Sequence, residues 1–412
     1  EAVVATIAVS DGLMPATTGC RIPDPALDLQ PIRSPLRQPV TTVLSNSFGF
    51  GGNNCCLVVQ APVPEMNTRT TPLPKEPGSK LLALHGWSCL TGAGDLRATL
   101  ERLQAGRTVA GQADLTALSA TLPAQLIRRL KRLPRLALSL ATAAVDRASG
   151  APPPAAIFLG TGWGALSETH DFLKRLADSA EQFPSPTDFV GSVHNAAAGQ
   201  VAQLLRATGA NVTSSGGDYS FEQALLAADL LLEDTGQTAL VLGVDEGHQV
   251  LSPRFDPSIV AGSQLADGGG AFVIGRADPE APLRVRTPFY RSSRSNNLVS
   301  ELLAWCGGSH ALETDCGVIL AGIPQASHHL GEQQLAAFLA LLGAAPPVIR
   351  YRSLVGEFSS ASAVAAVLAA ALLQDGALPR NLTGVPDESL AGKSVLVLGL
   401  GTCLTAMEFS RS

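Results

Sequence analysis

The chain is 412 residues long, 46% hydrophobic and 16% charged, with a formal net charge of −6. That is apolar material for one large α/β domain or two to three smaller ones, and an acidic balance argues against nucleic-acid binding, which needs a basic footprint. Seven cysteines without a CxxC pair point to a reduced, cytoplasmic setting and away from zinc, and the longest apolar stretch, residues 361–373, is too short to span a bilayer.

In chain order, residues 1–60 read as helix, Pro-containing loop, strand, Gly turn and strand. Residues 61–79 carry Pro62, Pro64, Pro72, Pro74 and Pro77 and read as a linker, since proline removes donors and favours extended backbone. A new domain opens with a strand at 81–86. Helices at 94–103 and 134–148 follow, then a strand at 155–159 running into Gly160-Thr161-Gly162-Trp163-Gly164. Next come helices at 165–176 and 196–205, a strand at 211–213, Gly216-Gly217, and a helix at 218–232. The runs 239–243 and 271–274 are wholly apolar, as a sheet covered on both faces requires. The last third reads as strand 317–320, helix 332–342, strand 348–351, helix 359–373, and strands 394–398 and 402–409. Strands alternating with helices predict a layered α/β fold.

One structural ending occurs twice. Ala2-Val3-Val4-Ala5 with Asp11-Gly12-Leu13-Met14-Pro15 matches Ala366-Val367-Leu368-Ala369 with Asp375-Gly376-Ala377-Leu378-Pro379 at a constant separation of 364 positions. The first copy leads to Ser47-Phe48-Gly49-Phe50-Gly51-Gly52-Asn53. The second leads to a degraded version, Leu398-Gly399-Leu400-Gly401-Thr402-Cys403.

These motifs resemble those of the β-ketoacyl synthase (condensing enzyme) family. The resemblance implies a thiolase-like α-β-α-β-α fold of two related halves, 80–275 and 276–412, preceded by residues 1–60 as the C-terminal end of another ketosynthase. It makes Phe48, Gly49, Phe50, Gly51 and Gly52 a substrate-lining loop with Phe50 as its gate, and Gly399, Leu400 and Gly401 its counterpart. Glycine suits such a loop because backbone can approach a substrate closely only where no side chain intervenes. Lys131-Arg132-Leu133-Pro134-Arg135, the Gly160–Gly164 turn, residues 183–199 and Val244-Asp245-Glu246 extend the resemblance.

A ketosynthase needs a Cys at a helix N-terminus, where the dipole supports the thiolate, and two His that bind the thioester carbonyl. Aligned on the family, the Cys position is Gly217, and no Cys stands between Cys89 and Cys306. Ala321 takes the place of the first His. Glu357 takes that of the second and Arg352 that of the preceding Lys. Glycine has no side chain to acylate, alanine donates no hydrogen bond, and a carboxylate at 357 would repel the charge developing on the thioester oxygen.

The expectation is therefore a non-catalytic, chain-length-factor-like domain fused to an active ketosynthase and shaping its acyl tunnel, with Asn211 to Ser214 as the pairing strand. The partners implied are acyl carrier protein and a ketosynthase, with no nucleic acid and no membrane span. No cofactor is expected beyond the phosphopantetheine arm of the carrier. An active 3-oxoacyl-[acyl-carrier-protein] synthase or decarboxylase with unusual residues, and a scaffold that only binds carrier protein, are the alternatives.

Other residues read more simply. Ser214 and Ser215 end a strand and Asp218 caps a helix. His328-His329 are solvated surface, and Cys306 and Cys316 are small core hydrophobes. Gly399-x-Gly401-x-x-Leu404 lacks the third glycine and the helix of a dinucleotide fingerprint. The basic run Arg128, Arg129, Lys131, Arg132 and Arg135 either steers an acidic carrier protein or forms a solvated helix end with ion pairs.

Overall fold

A computed structural model describes residues 1–26, 30–48, 54–62, 81–120, 122–128, 130–148, 150–232, 236–260, 262–276, 278, 281–294, 297–383 and 388–411. The chain divides into two compact units, Glu1–Gly78 and Ser79–Ser412. The expected linker and the Gly49–Gly52 part of the first Gly loop lie almost wholly or wholly outside the described residues.

Unit 1 holds helix α1 (Ala2–Asp11) and a hairpin of β1 (Thr42–Phe48) and β2 (Asn54–Gln60). A short antiparallel pair, Leu13–Met14 with Leu36–Arg37, lies between them in sequence. Gly12 ends α1 at φ 62°, in the left-handed region.

Unit 2 contains an 11-stranded sheet in which one topology occurs twice. The first five strands are β3 (Leu81–Leu90), β4 (Pro154–Gly160), β5 (Asn211–Ser214), β6 (Thr238–Asp245) and β7 (Gly268–Gly275). They lie in the order β5-β4-β6-β7-β3. After β8 (Leu283–Arg286) come β9 (Phe289–Ser292), β10 (Cys316–Gly322), β11 (Val348–Arg350), β12 (Ser394–Gly399) and β13 (Cys403–Arg411). These lie in the order β11-β10-β12-β13-β9. In both sets the first three strands of that order are mutually parallel and the last two join antiparallel. β8 bridges the sets by pairing with both β3 and β13.

Side-chain alternation along the strands separates three apolar layers. Ile157, Leu159, Leu240 and Leu242 pack outward with helices α2 (Arg132–Arg147) and α3 (Ala196–Leu205). Ile319, Leu396 and Leu398 pack outward on the other side with α5 (Leu298–Trp305) and α6 (His328–Leu339). Phe158, Val241, Leu320 and Val397 face the middle, where α4 (Ser220–Leu231) and α8 (Ala361–Asp375) lie. Helix α8 contacts strands of both halves. The result is the expected α-β-α-β-α sandwich.

The small residues of α8 make this close approach possible. Its residues 361–373 are all buried. A Cβ added at Gly270 would stand 2.3 Å from the Ala363 carbonyl oxygen, so the sheet has glycine where the helix crosses it.

Two short strands, β8 and β9, and helix α5 lie where the sequence reading placed no element. Tyr351 opens a short helix, α7 (Tyr351–Val355), instead of ending a strand. No helix among the described residues is long and apolar enough to cross a membrane.

Candidate functional site

The turn between β5 and α4 is built around Gly217. Its φ is +61°, and a Cβ there would meet nothing within 4 Å. The Ser220 hydroxyl closes the turn, donating to the Gly217 carbonyl at 2.7 Å while accepting from the Gly216 N–H at 2.9 Å. Residues Gly217–Tyr219 form one 3-10 turn that runs directly into α4. The positive end of that helix thus lies beside a position with no nucleophile.

Arg352, on α7, is the centre of the charge cluster next to this turn. Its guanidinium donates to Asp218 Oδ1 at 2.8 Å, to Glu357 Oε2 at 2.9 Å and to the Phe358 carbonyl at 3.3 Å. Burial disfavours its charge, but Asp218, Tyr351 and Glu357 outweigh that and hold its pKa above the ordinary arginine value. Burial raises the pKa of Glu357 against the pull of Arg352. Asp218 caps no helix; its carboxylate is committed to Arg352, which corrects the sequence reading. Glu357 shares that guanidinium in an ion pair rather than standing as an isolated charge.

Gly217, Arg352 and Glu357 therefore come together, through Asp218. Ala321 does not join them, and its expected place beside the reactive cluster is corrected. It lies near the end of β10, 1% exposed, in the outer apolar layer with Leu396 and Leu398. Strand alternation sends Leu320 to the middle layer and Ala321 away from it. The loop after β10 reaches the cluster instead, where the Gln325 backbone hydrogen-bonds to Glu357. Gln325, Gly356 and Glu357 line one side of a cavity of about 250 Å³.

The second Gly loop also departs from expectation. Leu400 is fully buried in the outer layer, and its N–H donates to the Gly322 carbonyl at 2.9 Å. Gly401 is clamped by the Gln334 amide through bonds of 2.7 and 3.0 Å. Tyr219 lies against Gly399 and Gly401, edge-on to Tyr290 at 6.4 Å between ring centroids. Burial pushes the Tyr219 phenol up to about 12. Gly399, Leu400 and Gly401 thus form a tied, filled hairpin turn, because Leu400 has an apolar layer to enter and Tyr219 occupies the ground beneath. That turn joins two antiparallel strands, which also excludes the dinucleotide fingerprint.

Asp245 shapes the site although sequence alone assigned it no role. Its fully buried carboxylate accepts from Thr161 Oγ1 at 2.7 Å and the Trp163 N–H at 2.8 Å. It also accepts from the Ser360 N–H at 2.8 Å and Oγ at 2.6 Å. Burial raises its pKa despite these donors. The bonds tie the exit of β4 to the N-terminus of α8 around Gly217. An acidic residue ending a wholly apolar strand was the available signal.

Three members of the basic run are spent internally, while Arg128 is exposed and Arg129 lies outside the described residues. Lys131 pairs with Asp171, Arg132 with Asp267, and Arg135 donates to the Ile127 and Leu130 carbonyls. His328 and His329 lie on the surface of α6, and burial pushes the Cys306 and Cys316 thiols up to about 12. The described residues contain no group of three or more His, Cys, Asp or Glu able to hold a metal ion.

Residues 102–264 match the family model of the β-ketoacyl synthase N-terminal domain. The chain is 38% identical over 60 residues to the mitochondrial 3-oxoacyl-[acyl-carrier-protein] synthase of Arabidopsis thaliana. That match covers 14% of this chain and only 13% of that relative. Among solved structures, the ishigamide ketosynthase/chain length factor is similar with a TM-score of 0.60 at 21% identity, covering 81% of this chain and 99% of the other. A ketosynthase in complex with its chain length factor from Xenorhabdus doucetiae gives 0.63 at 16% identity, covering 81% and 98%. A type II polyketide synthase acyl-carrier protein in complex with its hexaketide-bound ketosynthase gives 0.63 at 14%, covering 81% and 100%. At these identities the structural likeness concerns the fold. Residues 102–264 thus match the β-ketoacyl synthase N-terminal domain, and the fold is the thiolase-like one of these ketosynthase structures.

Proposed function

We propose that residues 79–412 are a non-catalytic, chain-length-factor-like partner of an active ketosynthase. The pair would carry out carrier-protein-dependent Claisen condensation in fatty acid or polyketide synthesis, such as that of an aryl polyene. Residues 1–60 are read as the end of that ketosynthase. The phosphopantetheine arm of acyl carrier protein would bring the substrate, and the inactive domain would shape the acyl tunnel.

One observation carries this reading. Where the family has its nucleophile, the chain has Gly217 at positive φ, and the neighbouring Asp218 and Glu357 are both ion-paired to Arg352. The described turn residues, Gly216 to Ser220, carry no thiol or imidazole of their own to be acylated or to assist decarboxylation. The 412-residue chain is expected to form no condensed or decarboxylated product from acyl- and malonyl-carrier protein. Gly217→Cys should gain a haloacetamide-reactive thiol yet still not turn over, since the hydrogen-bond donors are also missing. Turnover by the unaltered chain would sink the proposal and restore the active-enzyme alternative.

The scaffold reading is favoured by a different observation: the second Gly loop is filled, with Leu400 buried in the outer layer and Tyr219 against Gly399 and Gly401. The readings separate when a ketosynthase is added. A changed product length supports tunnel shaping, and a changed rate at constant length supports a carrier-protein scaffold.

A further inference from the structure

Unit 1 exposes apolar side chains that its internal counterpart buries. Val3 and Val4 of α1 are 71% and 49% exposed, whereas Val367 and Leu368, the matching positions of α8, are 0% and 6% exposed. The β1–β2 hairpin exposes Leu44, Leu57 and Val58 together with Cys55 and Cys56, whereas β12 is buried along its whole length. Among the described residues β1 pairs only with β2, while β12 carries β10 in parallel on its other edge. A hairpin with one helix is marginal by itself, and a free edge beside apolar faces invites strand addition.

The internal repeat shows what covers such a surface. In unit 2 the repeated helix is wrapped by strands of both half-sheets, and the repeated hairpin is extended by a parallel strand. We infer that unit 1 is a completion module: α1 and the β1–β2 hairpin close a second body of the unit 2 fold, which lacks its own closing helix and hairpin and adds a parallel strand to the free edge of β1. The inference rests on reading residues 1–60 as the end of a ketosynthase, and adds the edge, the faces and the occupant. Main-chain bonds along β1 would supply affinity, and the faces of α1 and the hairpin would supply fit.

Cys55 and Cys56 report occupancy, because adjacent strand residues point to opposite faces. The recombinant 412-residue chain, and the native polypeptide in a fresh cell extract, are treated with N-ethylmaleimide and labelling of both cysteines is followed by mass spectrometry. A short thiol-to-photoreactive cross-linker on the same cysteines then identifies what lies against them. Labelling should be at least about tenfold slower in the extract. Cross-links should land on a ketosynthase body, in the same polypeptide or another. Equal labelling in the two samples overturns the inference. So do cross-links to unit 1 of a second copy, with concentration-dependent protection of the recombinant chain, or to a protein of another fold. Turnover assays decide the non-catalytic reading separately, so either can fail without the other.

Discussion

At the scale of single residues, Arg352 is 5% exposed while Asp218 and Glu357 are 30% and 29% exposed. The cation is thus locked in and its anions keep some water. Breaking a fully buried pair costs about 3–5 kcal/mol, but these carboxylates can rehydrate, so Arg352→Met should cost about 2–3 kcal/mol in urea unfolding. Glu222 is the second telling residue. It is fully buried on α4, accepts from Ser362 and Thr405, and burial pushes its pKa up to about 7. Glu246 is likewise pushed to about 7 by burial. A carboxyl with a raised folded pKa binds its proton more tightly folded than unfolded. Its contribution is therefore complete below the unfolded pKa and is lost as pH climbs through the folded one. Unit 2 should lose stability between about pH 4.5 and pH 7 on this account, and Glu222→Gln should flatten that slope in urea midpoints measured across the window.

At the scale of elements, α8 shows which features were legible beforehand and which were not. A run of Ala, Val and Leu without charge reads directly as a helix buried on every side. Its neighbours were not legible, because Gly243 and Gly270 lie far from it in sequence and meet it only in the layered fold. The Ala363 methyl would collide with a side chain at Gly243, and its carbonyl with one at Gly270. Ala363→Leu should therefore cost about 3 kcal/mol or more, seen as a lowered urea midpoint, because neither strand can retreat. β8 escaped notice for the opposite reason. Leu283-Arg284-Val285-Arg286 alternates over only four residues, too short a run for periodicity to stand out, yet it pairs on both edges.

At the scale of the whole molecule, the repeated strand order makes unit 2 two copies of one half joined through β8. β5 ends the sheet, paired to β4 on one side and to no other described strand. An edge of this kind needs a cover, and the proposed pairing with a ketosynthase would supply it. Backbone amides of residues 211–214 should then exchange more slowly once a ketosynthase is added, while those of the internal strand β6 stay unchanged. Unaltered exchange at 211–214 would exclude β5 as the pairing strand. The basic run offers less to a carrier protein than its composition suggested, since Lys131, Arg132 and Arg135 already have partners.

The sequence by itself determined what Gly217 and Glu357 can do chemically, and the class of fold. Gly217 cannot be a nucleophile and Glu357 cannot be an imidazole in any conformation, because those limits are covalent. The α/β alternation and the twice-used ending followed from periodicity and spacing, which are local. What only the tertiary structure decided was partnership. The Arg352–Asp218–Glu357 cluster joins residues more than 130 positions apart, and Asp245 gathers two loops separated by nearly 200. Ala321 and Leu400 looked like site residues in a linear motif and proved to be core, because the phase of a strand and the tightness of a turn depend on the layers packed against them. Residue identity sets what a group can do, and packing sets what it is near.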